Sequence, residues 1–156
     1  MRITCRLEFD SGHRIPHHES QCQHLHGHRY AIEITLSGDI IATEGAPEQG
    51  MLMDFSEVKS IARKHLVEQW DHAFLVYRRD TPVVEFLNSL KQHKTVMLDS
   101  VPTAENLSLE AFRILAPAYA NAYGNRLRLE RVRLYETPNC WADAERGDHD
   151  LRICAR

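Results

Sequence analysis

Two segments near the start of the chain alternate strictly between apolar and polar residues, and this alternation limits the fold more than any other feature. Side chains of a strand point alternately to its two faces, so each segment is predicted to be a strand that is buried on one face only. Half-buried strands of this kind are typical of antiparallel sheets. The apolar positions are Ile3, Cys5, Leu7 and Phe9 in residues 2–10 (RITCRLEFD), and Tyr30, Ile32, Ile34 and Leu36 in residues 29–38 (RYAIEITLSG).

Two further segments carry apolar residues at helical spacing and are predicted to cover one face of this sheet. The first, residues 56–70 (SEVKSIARKHLVEQW), follows an Asp54 and Glu57 spacing that resembles a capping box. The second spans about residues 104–119 with Thr103 as its cap, and Pro117 is expected to kink or shorten its last turn. The order strand, strand, helix, then helix, strand indicates an α+β domain.

Weaker patterns predict the other elements. A short helix is expected over residues 81–91 and a short strand over 95–98. The alternation of residues 127–136 (LRLERVRLYE) changes phase between Leu129 and Val132, which indicates a strand with a bulge or with both faces covered. A last strand is expected over about 149–155. Cys5, Cys140 and Cys154 are predicted to be small buried side chains.

Length and charge exclude several classes of function. A chain of 156 residues favours one domain over residues 1–156. A formal charge of -3 without a basic run gives no reason to expect nucleic acid or a membrane as partner, so a small molecule is the expected partner. No segment resembles a signal peptide or is apolar for the roughly 20 residues of a membrane span, so the protein is expected in the cytoplasm. Four cysteines without a CxxC pair are then expected to be thiols.

Six of the ten histidines fall within residues 13–28, in SGHRIPHH (11–18) and CQHLHGH (22–28). His26 and His28 are two positions apart in a predicted strand, so both can face one point, and Gly27 lets the backbone approach closely. His13, at the exit of the first strand, would complete a three-histidine site with the fourth zinc position open, as in catalytic zinc sites. Two alternatives remain: the histidines are exposed loop residues, or Cys22 is a fourth ligand that closes a structural site. The other three, His17, His18 and His24, are predicted to be loop residues.

Six motifs occur in an order that resembles the 6-pyruvoyl-tetrahydropterin synthase superfamily: FDSGHRIPH, CQHLHGHRY, GMLMDFSEVK, WDHAFL, PTAEN and YETP. The resemblance covers residues 3–137, and the C-x3-H-G-H spacing is similar to the bacterial 6-carboxy-5,6,7,8-tetrahydropterin synthase branch. It implies the tunnelling fold, in which an antiparallel sheet backed by two main helices oligomerises into a barrel. The family is usually homohexameric, with active sites between subunits.

The resemblance also implies roles for single residues. It makes His13, His26 and His28 the ligands of Zn2+ and Cys22 the catalytic thiol. It makes His72, with Asp71 beside it, the rest of the proton-transfer group, although Asp71 could instead be a plain surface carboxylate. Glu136 would anchor the pterin ring, and Glu105 would either contact the substrate or complement the dipole of its helix. Arg14 and Arg29 flank the ligands and are candidates for binding a triphosphate.

The activity that the resemblance implies is a zinc-dependent lyase of queuosine biosynthesis. It would convert 7,8-dihydroneopterin triphosphate to 6-carboxy-tetrahydropterin and release acetaldehyde and triphosphate. Two alternatives are a pyruvoyl-type synthase, which acts on the same substrate without losing the two-carbon fragment, and a non-catalytic, zinc-stabilised pterin-binding protein. Residues 76–101 and the C-terminal residues are longer than in short bacterial members, which bears on the subunit interface and the rim of the pocket.

Overall fold

The computed structural model describes residues 1–148, which form a six-stranded sheet with four helices. The strands lie in the order β4-β3-β1-β2-β5-β6 across the sheet. A π-helical turn over Arg63–Val67 joins α1 to α2, so the two run on as one helical segment. The strands are β1 Arg2–His13, β2 His26–Gly38, β3 Ala73–Tyr77, β4 Thr95–Leu98, β5 Leu127–Thr137 and β6 Cys140–Glu145; the helices are α1 Phe55–Ala62, α2 Glu68–Trp70, α3 Thr81–Ser89 and α4 Ala104–Tyr123.

The two alternating segments form the long antiparallel pair β1–β2 at the centre of the sheet. Their register sets Phe9 opposite Tyr30 and His13 opposite His26. The apolar residues of both strands that were predicted to face inward belong to the main core, except Ile3, which is partly buried against it. The strand predictions are therefore confirmed. The pairing brings the end of β1 and the start of β2, with their histidines, together at one end of the sheet.

The sheet is mixed, because β3 runs parallel to β1 and β4 runs parallel to β3. All other neighbours pair antiparallel. Parallel neighbours need a crossover connection, and here α1 and α2 lie between β2 and β3 while α3 lies between β3 and β4. The α+β class is confirmed, and the parallel pairs add to the antiparallel sheet that the alternation predicted.

Helices α1, α2 and α4 supply the core side chains on one face of the sheet, as the sequence predicts for the two main helices. Helix α3 lies on the other face at β3, because Val83 and Leu87 pack with Val76 in a separate apolar cluster. Leu75, the neighbour of Val76 in β3, belongs to the main core instead. Alternation along β3 therefore separates the two clusters, and α3 covers a part of the sheet that the main helices leave open.

The predicted caps are present, but α4 is longer than expected. The Asp54 carboxylate accepts a hydrogen bond from the backbone N–H of Ser56, and the Thr103 hydroxyl accepts one from the backbone N–H of Asn106. Helix α4 continues beyond Pro117 to Tyr123, so the expectation of a helix ending near residue 119 was wrong. The buried Tyr119, two residues after Pro117, donates its hydroxyl to the Val58 carbonyl at 2.8 Å and so holds the helix on the core just beyond the proline.

The last part of the described chain differs from the prediction. Strand β6 was not predicted, and Cys140 at its start is exposed rather than buried, because it lies at the turn that joins β5 to the edge strand. The bulge in β5 is confirmed, since Glu130 is the extra residue opposite the step from Thr35 to Leu36. The predicted strand over 149–155, with Cys154, lies outside the described residues. Within residues 1–148 no helix has the length and apolar character needed to cross a membrane.

Candidate metal centre

His13, His26 and His28 form a cluster at the end of the β1–β2 pair. Each contributes one ring nitrogen, and these three atoms all lie within 4.8 Å of one another. The ring centroids are 4.5 Å apart for His13 and His26, 5.2 Å for His13 and His28, and 5.0 Å for His26 and His28. Register and alternation produce the cluster, because His13 pairs with His26 across the strands and His28 is two positions further along β2.

Backbone carbonyls orient two of these imidazoles through the nitrogen that faces away from the cluster. His13 Nδ1 lies 2.8 Å from the Pro102 carbonyl oxygen and His26 Nδ1 lies 2.7 Å from the His24 carbonyl oxygen. A carbonyl only accepts, so each Nδ1 carries the proton and each Nε2 has a free lone pair. Metal-binding histidines are commonly held by a hydrogen bond of this kind.

Two of the cluster's ring nitrogens are buried without a hydrogen-bond partner, His13 Nε2 and His28 Nε2. Burial lowers the pKa of His13 to about 4, against a smaller opposing effect of the bond to Pro102, and burial also lowers the pKa of His28. Both imidazoles are therefore neutral near pH 7, which is the form that binds a metal. Buried polar atoms normally have a partner, so the donor set fits a bound metal ion.

Glu136 lies beside this cluster. Its Oε1 is 3.5 Å from His13 Nε2, and its side chain is half-buried. The residue falls where the β5–β6 register shifts between Tyr135 and Thr137, so a second bulge in β5 positions it. It is not one of the three residues that meet at the metal position, which leaves its carboxylate available to another group. The structure thus places the Glu136 side chain next to the histidine cluster.

Cys22 lies in a short 3-10 turn over Gln21–Gln23, in the connection between β1 and β2. Its carbonyl accepts a hydrogen bond from the Ile15 N–H at 2.8 Å, which ties the turn back to the end of β1. The thiol is partly exposed. Among the described residues, the group that can hold a metal contains the three histidines and not Cys22. The geometry therefore gives no support to the alternative of a cysteine-closed site.

Asp71 and His72 form a pair at the start of β3. His72 Nδ1 is 2.9 Å from an Asp71 carboxylate oxygen, and the other oxygen accepts from the Asp10 N–H at 3.0 Å. That backbone hydrogen bond lowers the pKa of Asp71, with the neighbouring His72 as a further cause. Asp71 therefore has partners that a plain surface carboxylate lacks. His72 has a backbone φ of 56° and a side chain that is 78% exposed.

His72 lines a cleft of about 530 Å³ that opens mainly on the sheet face away from the main core, together with Asp10, Arg29, Phe74 and His93. In the described part of the chain, His28 is the one cluster member that lines this cleft, and Cys22 does not line it. Within one subunit the structure therefore brings together the three histidines and Glu136, and separately Asp71 and His72.

Three other predicted residues have different surroundings. Glu105 is exposed in the first turn of α4, three positions after Pro102. Arg14 makes a two-bond ion pair with Asp80, and Arg29 pairs with Glu8 at 2.9 Å. Both arginines have carboxylate partners, and Arg29 is 69% exposed and lines the same cleft as His72. His17, His18 and His24 are exposed and lie outside the strands, as predicted.

Tyr30 is a residue of the site that the sequence pattern assigned only to the core. Its side chain is fully buried, its ring centroid is 5.6 Å from that of His28, and its hydroxyl has no hydrogen-bond partner. Burial raises the pKa of Tyr30, and the charge of the Glu136 carboxylate raises it further. The hydroxyl therefore stays protonated. Tyr30 is two residues after His28 and therefore on the same strand face. This spacing could have indicated from the sequence that Tyr30 borders the histidine cluster.

The fold and the histidine cluster together define an α+β protein with three histidines close enough to hold a metal ion at the end of the β1–β2 pair. The family model of 6-pyruvoyl tetrahydropterin synthase matches residues 2–147. A relative from Rickettsia bellii named 6-carboxy-5,6,7,8-tetrahydropterin synthase is 35% identical over 143 residues, which are 92% of this chain and 99% of the relative. A protein of the same name from Haemophilus influenzae is 30% identical over 91% of this chain and 96% of its own length.

The chain belongs to the 6-pyruvoyl tetrahydropterin synthase family. The crystal structure of 6-pyruvoyl tetrahydropterin synthase from Plasmodium vivax superimposes with a TM-score of 0.67 at 20% identity, covering 94% of this chain and 98% of the other. The expected tunnelling fold is thereby confirmed, with the curled mixed sheet and the helices packed against it.

Proposed function

We propose that this protein is a zinc-dependent 6-carboxy-5,6,7,8-tetrahydropterin synthase. The observation that carries the proposal is the cluster of three imidazoles with the Glu136 carboxylate 3.5 Å from His13. The relatives from Rickettsia bellii and Haemophilus influenzae bear this enzyme's name. They are 35% and 30% identical to this chain over nearly their whole length. The substrates would be 7,8-dihydroneopterin triphosphate and one water molecule, and the products 6-carboxy-tetrahydropterin, acetaldehyde and triphosphate.

His13, His26 and His28 would hold the metal through their Nε2 atoms. Zinc bound by three imidazoles keeps a fourth position open and supplies a Lewis acid that polarises the hydroxyls of a substrate side chain. The carbonyls of Pro102 and His24 keep the rings turned toward that position. The buried, neutral state of His13 and His28 favours a cation over a proton at this point.

Glu136 would bind the pterin ring. A carboxylate accepts two hydrogen bonds side by side, which matches the paired N–H groups on the guanidine-like edge of a pterin. The bulge at residue 136 places the side chain on the same side as the histidines, so ring binding here would bring the substrate side chain toward the metal. Glu105, at the N-terminus of α4, would lie on the rim and contact the substrate.

Cys22 and the Asp71–His72 pair would transfer protons. A thiol with an ordinary pKa near 8.5 needs a neighbouring imidazole or metal to act as a base. Within one subunit Cys22 does not line the cleft that contains His72, so we propose that the pair of one subunit serves Cys22 of another. A homo-oligomer with active sites between subunits, as in the hexamer implied by the motifs, meets this requirement.

The same proposal assigns the protein to queuosine biosynthesis in the cytoplasm, with residues 1–156 as one domain. The second candidate is a 6-pyruvoyl tetrahydropterin synthase, which the matched family model favours by its description. The two reactions start from the same substrate and differ in whether a two-carbon fragment leaves. The products therefore distinguish them.

The test is mass spectrometry of the products formed by zinc-loaded protein from 7,8-dihydroneopterin triphosphate. Acetaldehyde together with a carboxypterin is the expected result. A pyruvoyl-pterin without acetaldehyde would establish the second candidate. Substrate binding without any product would indicate a non-catalytic, zinc-stabilised pterin-binding protein. Protein with His28 replaced by alanine, incubated in parallel, is the control for contaminating activity, because it lacks one of the three ligands.

A further inference from the structure

The segment that joins β3 to α4, residues 78–103, contacts the end of β1 near both of its own ends. At its beginning, Asp80 binds Arg14, the residue directly after His13. At its end, the carbonyl of Pro102 accepts the hydrogen bond from His13 Nδ1.

The contact between Asp80 and Arg14 is a buried two-bond ion pair. Arg14 Nε donates to one carboxylate oxygen at 2.6 Å, and a terminal nitrogen donates to the other at 2.7 Å. The Asp80 side chain is 3% exposed. A guanidinium bound in this way is fixed in direction as well as distance. The backbone of residue 14, and so the end of β1 that carries His13, is held in one position.

Helix α3 keeps Asp80 in place. The Asp80 carbonyl accepts hydrogen bonds from the backbone N–H groups of Val83 and Val84 in the first turn of the helix. Val83 and Leu87 pack on Val76 of β3. Since β3 is itself paired with β1 at His13, the ion pair, the strand pairing and α3 form one connected unit around the ligand.

We infer that residues 78–103 brace the proposed metal site, and that Asp80 is a positioning residue that sets the affinity of His13, His26 and His28 for a metal by fixing the end of β1 through Arg14. The inference rests on the proposed metal centre. Asp80 touches neither the metal position nor the proposed substrate groups, so its effect is on ligand geometry. Outer groups that orient metal ligands are commonly worth about 10- to 100-fold in metal affinity.

The test compares Co2+ binding by metal-free wild-type protein, Asp80→Asn, Arg14→Lys and a matched control, Asp143→Asn. The control breaks an ion pair of the same geometry, Arg133 to Asp143 at 2.7 and 2.8 Å, at the β5–β6 end of the sheet. The dissociation constant is measured by competition with a chelator, at a temperature where circular dichroism finds all four proteins folded. The absorption bands of bound Co2+ report the coordination geometry.

The expected result is a dissociation constant raised about 10-fold or more in Asp80→Asn and Arg14→Lys, with altered Co2+ bands, and unchanged in Asp143→Asn. Arg14→Lys keeps both charges and loses only the forked geometry of the guanidinium. It therefore tests the inference even if Asp80→Asn does not fold. Wild-type affinity and bands in the Asp80 or Arg14 variant would overturn the inference while leaving the metal centre intact. Absence of Co2+ binding by the wild-type protein would instead refute the proposed metal centre.

Discussion

Zinc added to the metal-free protein is expected to stabilise the fold through the three histidines and without Cys22. The metal-free fold keeps two buried ring nitrogens, His13 Nε2 and His28 Nε2, without hydrogen-bond partners. A cation at the point where these atoms converge with His26 would bind them in the folded state, whereas the unfolded chain holds no such arrangement. Binding to the folded state alone must raise the free energy of unfolding.

The size of the effect follows from mass action. At a free zinc concentration 100 times the dissociation constant, the gain is about 2.7 kcal/mol. For a protein of this length, 1 kcal/mol raises the midpoint of thermal unfolding by roughly 2–4 °C, so the expected rise is about 5–11 °C. An excess of chelator should reverse it.

The assay is thermal unfolding followed by circular dichroism, with and without zinc, on protein first stripped of metal. The rise should vanish in His28→Ala and persist in Cys22→Ala. His65→Ala is the control for the loss of an imidazole, since His65 is exposed on the helical segment between α1 and α2. A stabilisation that survives in His28→Ala but disappears in Cys22→Ala would refute the reasoning, because the thiol would then be a ligand.

Three further predictions concern single side chains. Glu136→Gln should weaken pterin binding by about 2 kcal/mol or more, since one of two charge-assisted bonds is lost, while metal content stays unchanged; equal affinities by calorimetry would contradict this role. Cys22→Ala and His72→Ala should each keep the metal and lower the single-turnover rate by about 10² to 10⁴. The double variant should be little slower than either single variant, because the two groups act as a unit. Normal turnover in Cys22→Ala would refute the lyase proposal. Tyr30→Phe should leave the free energy of unfolding in urea unchanged or raised, because the Tyr30 hydroxyl has no hydrogen-bond partner. Tyr119→Phe should lower it by about 1 kcal/mol, because a hydrogen bond is lost. A larger loss in Tyr30→Phe than in Tyr119→Phe would show that the Tyr30 hydroxyl has a partner in solution.

Much of the site could be predicted from short-range pattern. His26 and His28 share a strand face because of their spacing alone, and alternation continued from Phe9 gives His13 the same face. Glu136 could be named from the YETP motif, but its approach to His13 depends on a bulge between β5 and β6. Strand β6 itself gave little signal, since two of its six residues are acidic and one is an exposed tryptophan.

The sequence by itself determined the elements whose stability comes from one repeating face: the β1–β2 pair, the helical segment after Asp54, and α4 with its Thr103 cap. Periodicity is a local property, so it can be counted along the chain. The tertiary structure alone decided that β3 and β4 pair in parallel, that α4 continues beyond Pro117 to Tyr123, and that Asp80 and Pro102 contact Arg14 and His13 at the end of β1. Each of these depends on packing or hydrogen bonds between residues far apart in the chain. Burial of apolar surface there outweighs local conformational preference, and such contacts produce no periodic pattern in the sequence.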